Sequence, residues 1–234
     1  MYSLNYKVTT STCDSEGNLK LYSALQMLQD CSEMWIESEP KVKQFFSEQN
    51  MAQLLASRQV EIVRVPKYKE ELTVTTLVYE MKPMFGFRNT FIYDREGKPC
   101  YKTWSMGAFV DKSTGKLNSV DASIIASMNI EPSMQMNYAG RRILLPKEGG
   151  IVLDRIPVQK NDIDYNQHVN NANYIRMVVE LLPNQFKAQN IRMEYRKPAK
   201  LGDMLTPTMY QTEHALQFSL SIGNDVSTII EFSE

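Results

Sequence analysis

Two stretches of this chain repeat each other, and that repeat constrains the fold more than any other feature. Residues 8–30 align with residues 158–180 at a constant offset: Val8 falls on Val158, Asp14 on Asp164, Leu25 on Ile175 and Asp30 on Glu180. Both begin with a short extended run, pass through a polar turn and enter a helical pattern. Leu21, Leu25, Leu28 and Trp35 recur at helical steps, as do Ala172, Ile175, Val179 and Leu182. Each set forms one apolar stripe, which must be covered by a partner surface.

Strand-like runs follow each helix. In the first half they cover 58–66, 72–79, 87–94 and 100–111, with turn residues at 94–97 and 111–115. In the second they cover 190–198, 204–211, 216–222 and 227–232. Arg64 and Pro66 match Arg196 and Pro198 at a smaller offset, because the first half carries a longer connection around residues 38–57. The pattern predicts an α+β protein in which each half is a strand, a long helix and an antiparallel meander. The expected boundaries are an N-terminal domain at 1–130, a linker at 131–150 where Pro and Gly interrupt the periodicity, and a C-terminal domain at 151–234.

Composition narrows the function classes. With 234 residues, 43% hydrophobic and 23% charged, the chain can bury a substantial core. A net charge of -1 gives no electrostatic basis for wholesale nucleic-acid binding. Cys13, Cys31 and Cys100 fit neither a zinc site nor a disulfide framework. His168 and His214 are the two histidines, so a multi-histidine metal centre is hard to build and no metal or organic cofactor is expected. The N-terminal residues lack a signal-peptide pattern and no apolar run is long enough to span a bilayer, so the expected location is the cytoplasm, away from membranes.

The two halves differ where strand turns into helix. The first reads Asp14-Ser-Glu-Gly-Asn18, and the second Asp164-Tyr-Asn166-Gln-His168-Val-Asn170-Asn171. The second collects a carboxylate, a carboxamide and an imidazole within five residues, just before a helix N-terminus whose backbone N–H groups are positively polarised. The bland alternatives are a polar turn for that trio, a helix cap for Asn170 or Asn171, a solvated turn residue for Asp162 and a surface position for His214.

The run Asp164 to Tyr174, with its His-Val-Asn-Asn core, resembles the active-site motif of acyl-acyl carrier protein thioesterases, the plant-type enzymes and their bacterial relatives. Glu194-Tyr-Arg196 and Lys102-Thr-Trp104-Ser-Met resemble two further segments of that family. The resemblance implies a double hot-dog fold, two antiparallel sheets each wrapped on a central helix. It also implies hydrolysis of the acyl-acyl carrier protein thioester, releasing a fatty acid. Asp164, Asn166 and His168 would be catalytic, and Asn170 and Asn171 would contact substrate. The acyl chain would lie in the first half. The partner would be acyl carrier protein bearing an acyl-phosphopantetheine group, an acidic protein that Arg141, Arg142, Arg196, Lys197 and Lys200 would dock. A monomer or a homodimer fits the duplicated chain.

One departure stands out. The family often continues with Glu-Cys where this chain has Pro198-Ala199, so no cysteine nucleophile can act there. Reference pKa values of about 6.5 for histidine and about 3.9 for aspartate favour His168 as a simple base near neutral pH, leaving the division of labour with Asp164 open. Rival readings are an acyl-coenzyme A thioesterase, a hot-dog hydratase and a non-catalytic acyl-thioester binding protein.

Overall fold

The computed structural model describes residues 1–183 and 186–234. The chain forms two compact units. One comprises Met1–Ala56 with Ile62–Tyr138, and the other Ser57–Glu61 with Ala139–Glu234.

The first unit contains strand β1 (Tyr2–Lys7), helix α1 (Leu21–Met34), a 3-10 turn at Trp35–Ser38, helix α2 (Pro40–Glu48) and most of strand β2 (Met51–Ile62). Strands β3 (Glu71–Lys82), β4 (Phe85–Asp94) and β5 (Pro99–Asp111) and the short helix α3 (Ala122–Ser127) complete it. β1, β3, β4 and β5 pair antiparallel in that order. α1 lies against β1, β3 and β4 and buries Ala24, Leu25, Met27, Leu28 and Cys31. Burial extends past one stripe because the helix is contacted by β1, β3, β4 and the 3-10 turn that follows it. Polar groups facing the helix find partners, as burial demands. The Cys31 thiol donates to the Val74 carbonyl at 3.3 Å, and the Ser32 and Thr90 hydroxyls bond at 2.9 Å.

The connection expected around residues 38–57 contains α2, and β2 starts at Met51 rather than at residue 58. Val42, Phe45 and Phe46 take helical spacing and join Trp35, Met51 and Phe109 in one apolar cluster. Pro40 suits the first turn of α2, where its missing N–H leaves no internal bond unmade.

The second unit contains strands β6 (Ile151–Val152) and β7 (Ile156–Pro157), a 3-10 turn at Lys160–Asp162 and helix α4 (Asn171–Val179). Strands β8 (Asn190–Tyr195), β9 (Met204–Gln211), β10 (Ala215–Ile222) and β11 (Asp225–Ser233) follow. Residues 57–61 of β2 pair with β8, then come β11, β10 and β9, with β6 and β7 both on β9. α4 is shorter than α1: Val179 is its last residue, and Leu182 lies beyond it.

A buried carboxylate on β8 ties down the segment before β6. Glu194 accepts the Ile143 N–H at 2.9 Å and pairs with Arg196 at 3.0 Å. Burial alone would push its carboxyl up, yet Arg196 and the Ile143 N–H hold it below the ordinary glutamate range. A lowered folded pKa contributes stability that is present above the unfolded value, about 4.3, and is lost as pH falls through the folded value. Glu194→Gln is therefore expected to cost about 1–3 kcal/mol at pH 7 and to flatten the acid limb below pH 4.3, read by urea titration at stepped pH.

Candidate active site

The repeat makes the first unit an internal control for the second. Ile163 and Val169 form an isolated antiparallel bridge, and so do Cys13 and Leu19, their counterparts. Inside each bridge the chain makes the same turn. The Asp164 N–H donates to the His168 carbonyl at 2.9 Å, and the Gln167 N–H to the Asp164 carbonyl at 3.0 Å. In the first unit the Asp14 N–H reaches the Asn18 carbonyl at 2.8 Å, and the Gly17 N–H reaches the Asp14 carbonyl at 3.1 Å. The loop that receives each turn is offset by one residue from the Pro66–Pro198 match read in the sequence. The Leu19 N–H donates to the Pro66 carbonyl, and the Val169 N–H to the Ala199 carbonyl.

Both turns require a left-handed residue at the same place. Gly17 has φ +78°, and Gln167 has φ +64°. A side chain there crowds the following carbonyl and costs about 1–2 kcal/mol. Gln167→Gly is expected to raise stability by about 1 kcal/mol, offset in part by glycine's larger unfolded-state entropy; a urea midpoint that falls would refute the assigned backbone.

The carboxylates of the two turns differ in what they have left. Asp14 is consumed by the Glu16 and Asn18 N–H groups and by the Asn18 carboxamide. Asp164 accepts the Asn166 N–H at 2.8 Å, and among the described residues its second oxygen has no protein donor. The Asn166 carboxamide and the His168 imidazole likewise have no hydrogen-bond partner among the described residues. Asn166 is exposed, and Asp164 and His168 are half-buried. Three polar side chains on one turn thus keep capacity for a ligand.

The helix start is more fully committed. Asn170 is the N-cap of α4, its side chain accepting the Ala172 N–H at 3.0 Å. The Val169 N–H goes to Ala199 and the Asn170 N–H to the Asp162 carbonyl, so neither is available to hold an oxyanion. Of the three N–H groups from Val169 to Asn171, that of Asn171 alone has no protein acceptor among the described residues. Its own carbonyl accepts the Tyr195 hydroxyl at 3.2 Å.

One further expectation changes. Asp162 is not a solvated turn residue: it is 2% exposed and pairs with Arg176 on α4. At the departure, Ala199 is fully buried and its N–H donates to the Tyr174 hydroxyl at 2.9 Å, which ties the loop after β8 to α4. The family's cysteine position therefore lies against the motif and offers a methyl group.

Of the five basic residues, Arg141, Arg142 and Lys200 are exposed, whereas Arg196 pairs with Glu194 and Lys197 with Asp225 at 2.6 Å. His214 is exposed beside Glu213. Among the described residues no three His, Cys, Asp or Glu side chains converge on a metal position. An open groove of about 860 Å³ on the first unit, lined by Asn5, Lys7, Thr73 and Tyr93, holds none of the motif residues.

Comparison with known proteins agrees with this duplicated architecture. A chloroplastic acyl-[acyl-carrier-protein] hydrolase of Cuphea viscosissima is 26% identical over 163 residues, 65% of this chain and 39% of that protein. The chain thus spans about two fifths of that relative's length. The crystal structure of an acyl-ACP thioesterase from Bacteroides thetaiotaomicron superposes with TM-score 0.86 at 21% identity, covering 99% of this chain and 96% of that one. A 12:0-ACP thioesterase from Umbellularia californica gives the same TM-score and coverage at 13% identity. These likenesses establish the α+β double hot-dog fold. The acyl-ACP thioesterase N-terminal domain model matches residues 1–128 and the C-terminal domain model residues 150–233, so this chain belongs to the acyl-ACP thioesterase family.

Proposed function

We propose that this chain hydrolyses the thioester of acyl-acyl carrier protein, releasing a free fatty acid and holo-acyl carrier protein and so terminating fatty acid synthesis. The observation that carries the reading is the family match to both halves, with the Asp164–His168 turn in the half whose counterpart turn has its carboxylate consumed.

In this reading water adds to the thioester carbonyl, the C–S bond breaks, and the leaving thiolate takes up a proton. Asp164 orients or activates the water through its free oxygen, and the Asn166 carboxamide aligns water or thioester. His168 acts as base to the water or as donor to the leaving sulfur. The Asn171 N–H is the backbone donor available to the oxyanion; Asn170 serves the site by capping α4. The N-terminal domain at 1–130 takes the acyl chain. Residues 131–150 link it to the catalytic domain at 151–234. Arg141, Arg142 and Lys200 offer exposed positive charge to the acidic carrier, and Arg196 and Lys197, also exposed, are engaged with carboxylates.

The test is thiol release from a panel of acyl-acyl carrier proteins beside the matching coenzyme A esters. Faster turnover on the carrier-protein esters supports the proposal. Faster turnover on coenzyme A reassigns the substrate, and binding without turnover on either removes the enzyme reading.

A further inference from the structure

The motif is not the only place where the repeat is broken. Three positions around it also differ between the units: Thr12, Ser23 and Gln26 in the first become Asp162, Asn173 and Arg176 in the second. The first unit shows what the fold itself requires at these places. The Thr12 hydroxyl accepts the Thr9 N–H at 2.9 Å, and the Thr12 carbonyl accepts the Lys20 N–H at 2.9 Å. Gln26 turns instead to the Tyr22 hydroxyl at 2.9 Å. A threonine therefore suffices to cap the entry to the turn and receive its exit.

In the second unit Asp162 meets those requirements and makes further contacts. Its Oδ2 accepts the Gln159 N–H at 2.8 Å, the counterpart of the threonine contact, and its carbonyl accepts the Asn170 N–H at 2.8 Å. Its carbonyl also accepts the Asn173 Nδ2 at 2.9 Å, and its Oδ1 pairs with the Arg176 guanidinium. One residue thus joins the start of the turn, its end and two side chains of α4. Placing a carboxylate where it is 2% exposed carries a desolvation cost that the threonine of the first unit does not incur. The carboxylate's partner Arg176 keeps about half of its side chain in solvent, so the pair adds little net stability and serves better to specify one arrangement.

We propose that Asp162 and Arg176 are a positioning pair that holds the 163–169 turn against α4, so that Asp164 and His168 keep a fixed separation from the substrate carbonyl. This role rests on hydrolysis at that turn, as proposed above. Neither residue touches the reacting atoms. Loss of the pair lets the turn shift relative to the helix, and misplacement of about 1 Å can cost about 100-fold in rate.

The first unit supplies the variants. Asp162→Thr and Arg176→Gln restore what the repeat folds with, so both are expected to melt within a few degrees of the parent. Each is expected to lower kcat about 10- to 100-fold with KM changed less than about twofold. The double variant should be no slower than the worse single one, because the residues act as a unit, and Arg176→Lys should recover part of the loss seen in Arg176→Gln. Hydrogen exchange gives a readout independent of turnover: the Asp164 and Gln167 amides should exchange about 10-fold faster in each variant, with those of Ile175 to Val178 unchanged. Folded variants with parental kcat and parental exchange would overturn the pair, as would losses that multiply in the double variant. A parent without turnover would instead remove the hydrolase reading, and the exchange rates alone would then decide whether the pair holds the turn.

Discussion

Asp164→Ala and His168→Ala are each expected to lower acyl-acyl carrier protein turnover by about a hundred- to ten-thousand-fold, the usual contribution of a positioned acid or base. Both side chains are half-buried on one turn, and neither is engaged in a way that folding requires. Stability should therefore change little, and the loss should appear in kcat rather than in the melting temperature. If His168 is the base, the kcat–pH profile of the parent should carry an ascending limb that His168→Ala removes. Asp164→Asn keeps the acceptor for the Asn166 N–H and removes the charge, so it separates the chemical role of the carboxylate from its place in the turn. Full activity in Asp164→Asn would leave that residue a structural part, and full activity in His168→Ala would remove the imidazole from the mechanism.

The second large effect concerns the helices. Leu25 on α1 and Ile175 on α4 occupy equivalent places in the repeat, and both are fully buried. Truncating either to alanine is expected to cost about 2–5 kcal/mol, the lost transfer energy plus the cavity left behind. Leu144 is 81% exposed, and Leu144→Ala should stay within about 0.5 kcal/mol. Urea titrations of the three variants check the contrast. Both tryptophans, Trp35 and Trp104, belong to the first unit, so their fluorescence reports Leu25→Ala directly, whereas far-ultraviolet circular dichroism is needed for Ile175→Ala. A cost below about 1 kcal/mol at both buried sites would show that these helices are not packed as described.

How much of this was legible in the residues depends on the range of the interaction concerned. Helical stripes such as Leu21, Leu25 and Leu28 and alternating strand runs are local patterns, so the α+β class and the order of elements could be read directly. The reading missed α2, because its three apolar residues sit in a charged nine-residue segment whose burial cluster draws on Val78, Phe109 and Val120, remote in sequence. It misjudged Asp162 for a related reason. In sequence Asp162 is an aspartate in a polar turn, and only the approach of Arg176 and Asn173 from α4 makes it a buried junction. The offset between the halves slipped by one residue at Pro198 because matching prolines looked like an anchor, while the backbone bonds make Ala199 the counterpart of Pro66.

By itself, then, the sequence determined the duplicated class of fold and the run from Asp164 to Asn171 as the place to look for chemistry. The first follows from the repeat and the spacing of apolar residues along the chain, and the second from the resemblance of that run to the thioesterase motif. Which polar groups are free was decided by the tertiary structure alone. Both carboxylate oxygens and the carbonyl of Asp162 are taken up, with Arg176 and Asn173 reaching it from α4. The N–H groups of Val169 and Asn170 are spent on Ala199 and Asp162. Availability depends on what long-range packing brings within hydrogen-bond distance, and near-neighbour spacing along the chain does not specify those contacts.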